Sequence, residues 1–134
     1  MAPRLLIVDD HASFRAFARA LLALDGFDVV GEAADGATGI DAARDLRPDV
    51  VLLDVQLPDL DGFRVARELG AVARAPAIVL VSSRSCDDYG TEVAHSGARG
   101  FVAKAELSGD ALRRVLGQGS RAGPQTCGTT GSAL

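Results

Sequence analysis

The sequence predicts an α/β domain built around a parallel sheet, and three observations support this class. Short apolar runs alternate with amphipathic stretches along most of the chain, which is the pattern of repeated βα units. The run Val50–Leu53 is apolar at every position, as expected of a strand that is buried on both faces. A length of 134 residues suffices for one domain with a single core. Helices should therefore cover both faces of the sheet.

Five strands are expected from the apolar runs. The first, Arg4 to Val8, leads directly into the acidic pair Asp9-Asp10, and the third ends at Asp54. The strands are expected at residues 4–8, 27–33, 49–54, 77–81 and 100–103.

Five amphipathic stretches follow the strands and predict the helices. In the first, spacings of three and four residues give the helix one apolar face, formed by Phe14, Phe17, Leu21 and Leu24. The pair Asp25-Gly26 ends this helix, and Pro48 stops the second before the third strand. The later helices are expected at residues 36–46, 63–69, 87–96 and 110–116.

The composition divides the chain after residue 117. Residues 1–117 carry the periodic pattern and are expected to form the domain. Residues 118–134 are rich in Gly, Ser and Thr, have no apolar periodicity and cannot bury a core of their own. We expect this segment to be a flexible tail or the start of a linker.

Charge and cysteine content argue against several classes of protein. The net charge is −4, from 14 basic and 18 acidic side chains, and no run of Lys or Arg forms a stripe for nucleic-acid phosphates. Direct nucleic-acid binding is therefore not expected. The two cysteines, Cys86 and Cys127, are too few for a disulfide framework, which indicates a reducing compartment. Without a signal peptide or a membrane-spanning apolar run, a cytoplasmic protein without membrane contact is expected.

Asp9, Asp10 and Asp54 follow or end strands of the predicted parallel sheet, so their side chains should meet at one edge. Carboxylates this close repel in a partly desolvated cleft, and the repulsion is relieved by a raised pKa or by a bound hard cation. A Mg²⁺ ion would neutralise the cluster and leave one carboxylate free to attack a phosphoryl group. The alternative for Asp9-Asp10 is a structural role as a helix-capping pair.

A set of residues at the ends of the strands matches a family motif: Asp9-Asp10, Asp54, the loop Leu57–Gly62, Ser82 and Lys104. Over residues 4–117 the chain resembles the receiver domain of bacterial response regulators. The resemblance implies a flavodoxin-like, doubly wound sheet of five parallel strands in the order 2-1-3-4-5, within a three-layer sandwich. It also implies phosphorylation of an Asp by a sensor histidine kinase, with Mg²⁺ as the required ion.

Two segments narrow the resemblance. Within the family, the chain is most similar to the NarL/FixJ-type transcriptional regulators in two segments. These are Val8-Asp9-Asp10-His11 leading into Phe14-Arg15, and Gly100–Lys104 without a following Pro. Transcription regulation is thus the output that this resemblance implies for a longer parent protein.

The resemblance implies a role for each matching residue. Asp54 would be the phosphoacceptor and, with Asp9, Asp10 and the backbone carbonyl of Gln56, would bind the Mg²⁺ ion. Lys104 would bring a second cation, because a phosphoryl group in flight spreads its charge over the equatorial oxygens.

Ser82 and Phe101 would form the switch. The Ser82 hydroxyl would move to donate to a phosphoryl oxygen, and Phe101 would rotate into the space that it leaves. Structural alternatives exist: Ser82, beside Ser83, could start a turn, Phe101 could be ordinary core, and Lys104 could be a solvated lysine. His11 is expected to shape the pocket rim rather than to bind metal.

Two other classes of protein fit the sequence less well. A haloacid-dehalogenase-like phosphatase needs a second Asp two residues after its nucleophile, where this chain has Gln56. A flavodoxin-like cofactor-binding module presents a hydroxyl- and Gly-rich loop where this chain has Asp9-Asp10, whose charges would repel a phosphate. A receiver that serves only as an unphosphorylated interaction module remains an open alternative.

The predicted function is a phospho-accepting switch of a two-component system, which catalyses only its own phosphorylation and dephosphorylation. No helix-turn-helix pattern follows residue 117. The signal is therefore expected to leave through an output partner protein or a self-dimer, on a face that includes Phe101 and residues 105–116.

Overall fold

The sheet consists of five parallel strands: β1 (Arg4–Val8), β2 (Asp28–Ala33), β3 (Val50–Asp54), β4 (Ala77–Ser82) and β5 (Gly100–Ala103). They pair in the order β2-β1-β3-β4-β5. The computed structural model describes residues 2–72, 74–84, 86–89 and 91–118. The predicted doubly wound fold and its strand order are confirmed.

The helices of the described residues are α1 (Ala12–Leu24), α2 (Gly36–Leu46), α3 (Gly62–Gly70), α4 (Glu92–His95) and α5 (Gly109–Gln118). Four of them agree with the sequence prediction to within two residues at the ends that it specified. The continuous helix expected at residues 87–96 was wrong, because a 3₁₀ helix at Cys86–Tyr89 precedes a four-residue α4. At the end of this 3₁₀ helix the Tyr89 ring packs against Phe63 and Phe101, and these contacts help to hold the segment in this form.

Helices cover both faces of the sheet and form a three-layer sandwich. Successive residues of a strand point to opposite faces, so Leu6 and Val8 of β1 pack with apolar residues of α2, α3 and α4. Leu5 and Ile7 pack with α1 and α5 on the other side. All four side chains are fully buried, which explains why the central strands are apolar at every position.

The apolar face that the sequence predicted for α1 is partly wrong. Ala18 and Leu22 are fully buried, whereas Phe17 is 54% and Leu24 is 87% exposed. At 3.6 residues per turn, Phe17 lies about 100° around the helix from Ala18, and in this helix Ala18 faces the sheet while Phe17 lies on the exposed side. Phe14 belongs with the buried stripe and is partly buried against the core.

Two carboxylates hold the beginning of α2. Asp35 accepts a hydrogen bond from Thr38 N at 2.8 Å and caps the helix. Asp59, in the loop between β3 and α3, accepts from Gly36 N at 2.7 Å and from Ala37 N at 3.0 Å. These backbone donors lower the pKa of Asp59, and they connect its loop to α2.

Helix α5 extends through Gln118, past the expected helix end at residue 116. The tail expected at residues 118–134 lies, apart from Gln118, outside the described residues. Within the described ranges, no helix combines the length and the apolar character needed to cross a membrane.

Candidate functional site

Neighbouring strands bring the predicted site residues to one edge of the sheet. Asp9 follows β1 and Asp54 ends β3, and these two strands are hydrogen-bonded to each other. Ser82 ends β4 and pairs with Ala103, the residue before Lys104. Because parallel strands all end at the same edge, four side chains that are far apart in sequence become neighbours.

The three carboxylates form a close cluster. Asp9, Asp10 and Asp54, together with His11, each offer one ligand atom, and these atoms all lie within 4.8 Å of one another. Asp9 is fully buried and Asp54 nearly so, whereas the Asp10 side chain is 34% exposed. His11 Nδ1 lies 3.1 Å from Asp9 Oδ1 and 3.2 Å from Asp10 Oδ1, and most of its side chain is exposed. His11 therefore borders the opening of the cluster.

Lys104 brings an ammonium group into the acidic cluster. Its Nζ atom lies 2.7 Å from Asp9 Oδ2 and 3.4 Å from Asp54 Oδ2. The ammonium also lies 4.4 Å from the centre of the Phe14 ring, a cation–π contact that shields it from solvent. One ammonium cannot balance the charge of three carboxylates, so the cluster retains negative charge.

Burial raises the pKa of the Asp54 carboxyl from 3.8 to about 6, and the negative charge of Asp9 adds to the rise. The backbone N–H of Gln56, which donates to Asp54 Oδ1 at 3.0 Å, acts in the opposite direction, as does the Lys104 ammonium. The raised pKa means that the folded protein keeps Asp54 ionised only at a cost in free energy. A bound cation would remove that cost.

The oxygen atoms of the cluster fit a hard divalent cation such as Mg²⁺, which prefers carboxylate, carbonyl and water ligands. Asp9 Oδ2 is buried and has no hydrogen-bond donor among the residues that the structure describes, although Lys104 Nζ is only 2.7 Å away. The contact with Lys104 is therefore an ion pair. Lone pairs of this buried oxygen remain available to a cation.

Ser82 is buried, and its hydroxyl has two polar neighbours. Its Oγ accepts a hydrogen bond from Arg84 N at 3.0 Å and lies 2.6 Å from the hydroxyl oxygen of Tyr89. The Tyr89 ring packs against Phe101, with 5.9 Å between ring centres. Phe101 is partly buried within the core on this face of the sheet.

Sequence reasoning missed several residues that contact the site, among them Tyr89 and Arg15. Tyr89 could have been noticed as the only tyrosine of the chain, seven positions after Ser82. Arg15 donates from its guanidinium to the backbone oxygen of Asp9 at 2.7 Å and also pairs with Glu32. No sequence signal identified this contact, because it depends on how α1 packs on the sheet.

The loop between β3 and α3 folds tightly against Asp54. Gln56 and Asp61 form an isolated antiparallel bridge, and Gly62 N donates to Val55 O at 2.8 Å. The Asp61 carboxylate caps α3 by accepting from Phe63 N. A Cβ atom at Gly62 would overlap the backbone oxygen of Asp54, so only glycine fits here.

Gly62→Ala is expected to destabilise the protein by about 2 kcal/mol, because the added methyl group forces the backbone of β3 to move. Gly70→Ala, at the other end of α3, is the matched control, since an added Cβ there meets nothing within 4 Å. Alanine favours helix, so this control should be neutral or more stable by up to about 1 kcal/mol. Urea unfolding of both variants measures the difference, and equal midpoints would contradict the predicted close approach.

Comparison with known proteins agrees with this geometry. The family model described as the response regulator receiver domain matches residues 5–116. A putative transcriptional regulator of Pseudomonas aeruginosa is 35% identical over 103 residues, which are 77% of this chain and 50% of that protein. The chemotaxis protein CheY of Bacillus subtilis is 32% identical over 104 residues, which are 78% of this chain and 87% of that protein.

The chain spans about half the length of the curated transcriptional regulators that it matches. Among solved structures, the receiver domain of the putative response regulator NarL from Mycobacterium tuberculosis is similar, with a TM-score of 0.79 and 30% identity. The match covers 90% of this chain and 98% of that one. Fold, strand-end residues and sequence similarity agree: the chain belongs to the response regulator receiver domain family, the phospho-accepting switches of two-component signal transduction.

Proposed function

We propose that a sensor histidine kinase phosphorylates this receiver on Asp54, with Mg²⁺ held by Asp9, Asp10, Asp54 and the backbone carbonyl of Gln56. The observation that supports this most is the buried carboxylate of Asp54, which lies between two other acids and one ammonium group. Such a carboxylate is protected from bulk water and has a cation beside it. These are the conditions that a phosphoryl acceptor needs.

The two oxygens of Asp54 have different surroundings, which suggests the attacking atom. Oδ1 accepts the hydrogen bond from Gln56 N, whereas Oδ2 faces Lys104 at 3.4 Å. Oδ2 therefore attacks phosphorus, and the bond from phosphorus to the donor breaks as the new O–P bond forms. When bound, Mg²⁺ supplies positive charge beside the phosphoryl oxygens.

Lys104 and Ser82 stabilise the phosphoryl group from the protein side. The Lys104 ammonium pairs with a phosphoryl oxygen, since in the free protein it already lies between Asp9 and Asp54. The Ser82 hydroxyl donates a hydrogen bond to another phosphoryl oxygen, and the Phe101 ring changes its packing in response. The same groups assist hydrolysis, so the chain catalyses only its own phosphorylation and dephosphorylation.

The partners follow from the proposed switch. Residues 1–117 act as the receiver, the kinase supplies the phosphoryl group in the cytoplasm, and the output is an attached domain, a separate protein or a second copy of the chain. The output face comprises Phe101 and residues 105–116. For a longer parent protein, similarity to transcriptional regulators supports control of transcription.

Incubation with phosphoramidate and Mg²⁺ is expected to add one phosphoryl group to the protein, as measured by intact mass. Chelation of the metal should abolish the addition. Asp10→Asn should reduce it strongly, because Asp10 is a proposed ligand of the ion, and its carboxylate is more exposed to solvent than those of Asp9 and Asp54. No added mass on the wild-type protein at saturating Mg²⁺ would contradict phosphorylation and favour the unphosphorylated interaction module.

A further inference from the structure

We infer that Tyr89 is a positioning residue for the Ser82 hydroxyl and that it carries the phosphorylation signal to the segment before α4. The inference depends on the proposed phosphorylation of Asp54. Two contacts support it: the Tyr89 hydroxyl lies 2.6 Å from Ser82 Oγ, and the Tyr89 ring packs between two core aromatic rings.

The hydrogen-bonding capacity of the Ser82 hydroxyl determines which role Tyr89 can have. A serine hydroxyl has one proton to donate and two lone pairs that accept. Arg84 N donates to one lone pair. In the free protein, either Ser82 or Tyr89 can be the donor in the contact between them. When Ser82 donates its proton to a phosphoryl oxygen, it can no longer donate to Tyr89. The contact between the two hydroxyls can then persist only if Tyr89 donates to the second lone pair of Ser82.

The Tyr89 hydroxyl therefore completes the set of partners that orients the Ser82 proton toward the phosphoryl group. Both hydroxyls lie in a partly buried region, where an unsatisfied polar group costs free energy. With Tyr89 as donor, the phosphorylated state satisfies every polar group of the pair. Loss of the Tyr89 hydroxyl leaves Ser82 with one acceptor position empty and a less restricted rotamer.

The ring of Tyr89 connects this hydrogen bond to other elements. It contacts Phe63 at the start of α3 edge-to-face at 5.5 Å, and Phe101 of β5 at 5.9 Å. Tyr89 ends the 3₁₀ helix that precedes α4, which is itself only four residues long. Such short elements open at low cost, so a change in the Ser82–Tyr89 bond alters this segment before it disturbs the sheet.

The composition of the chain gives a direct probe of this contact. The protein has one tyrosine and no tryptophan, so with excitation at a wavelength that phenylalanine does not absorb, its emission comes from Tyr89 alone. Beryllofluoride with Mg²⁺, a phosphoryl analogue that needs no transfer step, should change that emission in the wild-type protein. In Ser82→Ala the same addition should leave the emission unchanged, because the hydroxyl that links Tyr89 to the phosphoryl group is gone.

Tyr89→Phe tests the positioning role, because it keeps the ring and removes only the hydroxyl. Phosphorylation by phosphoramidate, followed by intact mass, should be about fivefold slower, the change expected when one hydrogen bond is lost. Ser96→Ala is the matched control, since Ser96 is a buried serine after α4 whose hydroxyl donates to Val93 O at 2.7 Å. This control should lose stability but keep the wild-type rate.

The outcomes separate the two proposals. A wild-type protein that takes no phosphoryl group contradicts the proposed function itself. A protein that is phosphorylated, but whose emission changes equally in wild type and Ser82→Ala, contradicts the role of Tyr89 alone. Equal rates for Tyr89→Phe and Ser96→Ala would also overturn it, since the hydroxyl would then be structural.

Discussion

Asp54→Asn is expected to take no phosphoryl group under conditions that fully label the wild-type protein. The amide group of Asn lacks the charge needed to attack phosphorus. Among the described carboxylates of the cluster, Asp54 is the one that is both buried and located at the end of β3. Intact mass after treatment with phosphoramidate and Mg²⁺ is the measurement. Asp41→Asn, on the exposed surface of α2, is the matched control and should be labelled like wild type. Labelling of Asp54→Asn at the wild-type level would show that another residue is the acceptor.

The same variant should be more stable than wild type when metal is absent. The pKa of Asp54 is about 6 in the folded protein and 3.8 as the ordinary value. Below about pH 4 the carboxyl is protonated in both states, so folding carries no penalty. Between about pH 4 and pH 6 the unfolded chain releases this proton while the folded state still binds it, so stability falls over this window and the loss is complete above about pH 6. The total loss is up to about 3 kcal/mol for a shift of about two units.

Asp54→Asn removes this penalty, so its advantage over wild type should be small at pH 4 and reach about 2 kcal/mol at pH 8. Urea unfolding of both proteins in the presence of a chelator, at these two pH values, measures it. An advantage that does not change with pH would mean that ionisation of Asp54 is not its source. Saturating Mg²⁺ should reduce the advantage, because the cation stabilises the ionised wild-type site.

Lys104→Met is expected to destabilise the metal-free protein by about 2–3 kcal/mol and to slow phosphorylation by about 100-fold. The ammonium lies 2.7 Å from the buried carboxylate of Asp9, and removal of one partner leaves the other charge unpaired. The loss in rate follows from the absence of a preorganised cation at the phosphoryl oxygens, a contribution of about two orders of magnitude. Protonation of Asp54 limits the loss of stability at low pH, so the effect should be greater at pH 8 than at pH 5.

Lys104→Arg separates charge from packing. The guanidinium has a different shape but keeps the positive charge. Because the charge is kept, this variant should retain most of the stability that Lys104→Met loses. Mg²⁺ should raise the melting temperature of Lys104→Met by more than that of wild type, because the cation replaces the missing ammonium. Equal losses of stability in Lys104→Met and Lys104→Arg would assign the effect to packing rather than to charge.

The fold class and the grouping of the site residues could be predicted from the sequence. Apolar runs that alternate with amphipathic stretches leave few arrangements other than a parallel sheet between helices. Once the strands are parallel, Asp9, Asp54 and Lys104 must lie at one edge, whatever the detailed packing of the helices. The convergence of the carboxylates depended on periodicity and chain direction, which are local properties of a sequence, whereas the strand order and the role of Lys104 were implied by the family resemblance.

The tertiary structure alone determined which residues are buried and what they contact. Phe17 and Ala18 are neighbours in sequence, but only the docking of α1 on the sheet decides that Ala18 is buried. Asp9 and Asp10 are equally acidic in sequence, yet only Asp9 is enclosed and paired with Lys104. Tyr89 lies in a 3₁₀ helix instead of the expected α-helix, its ring packs against Phe63 and Phe101, and its hydroxyl lies 2.6 Å from Ser82 Oγ. Each of these features depends on side chains from several distant segments packing together, and no pattern within one segment encodes that packing.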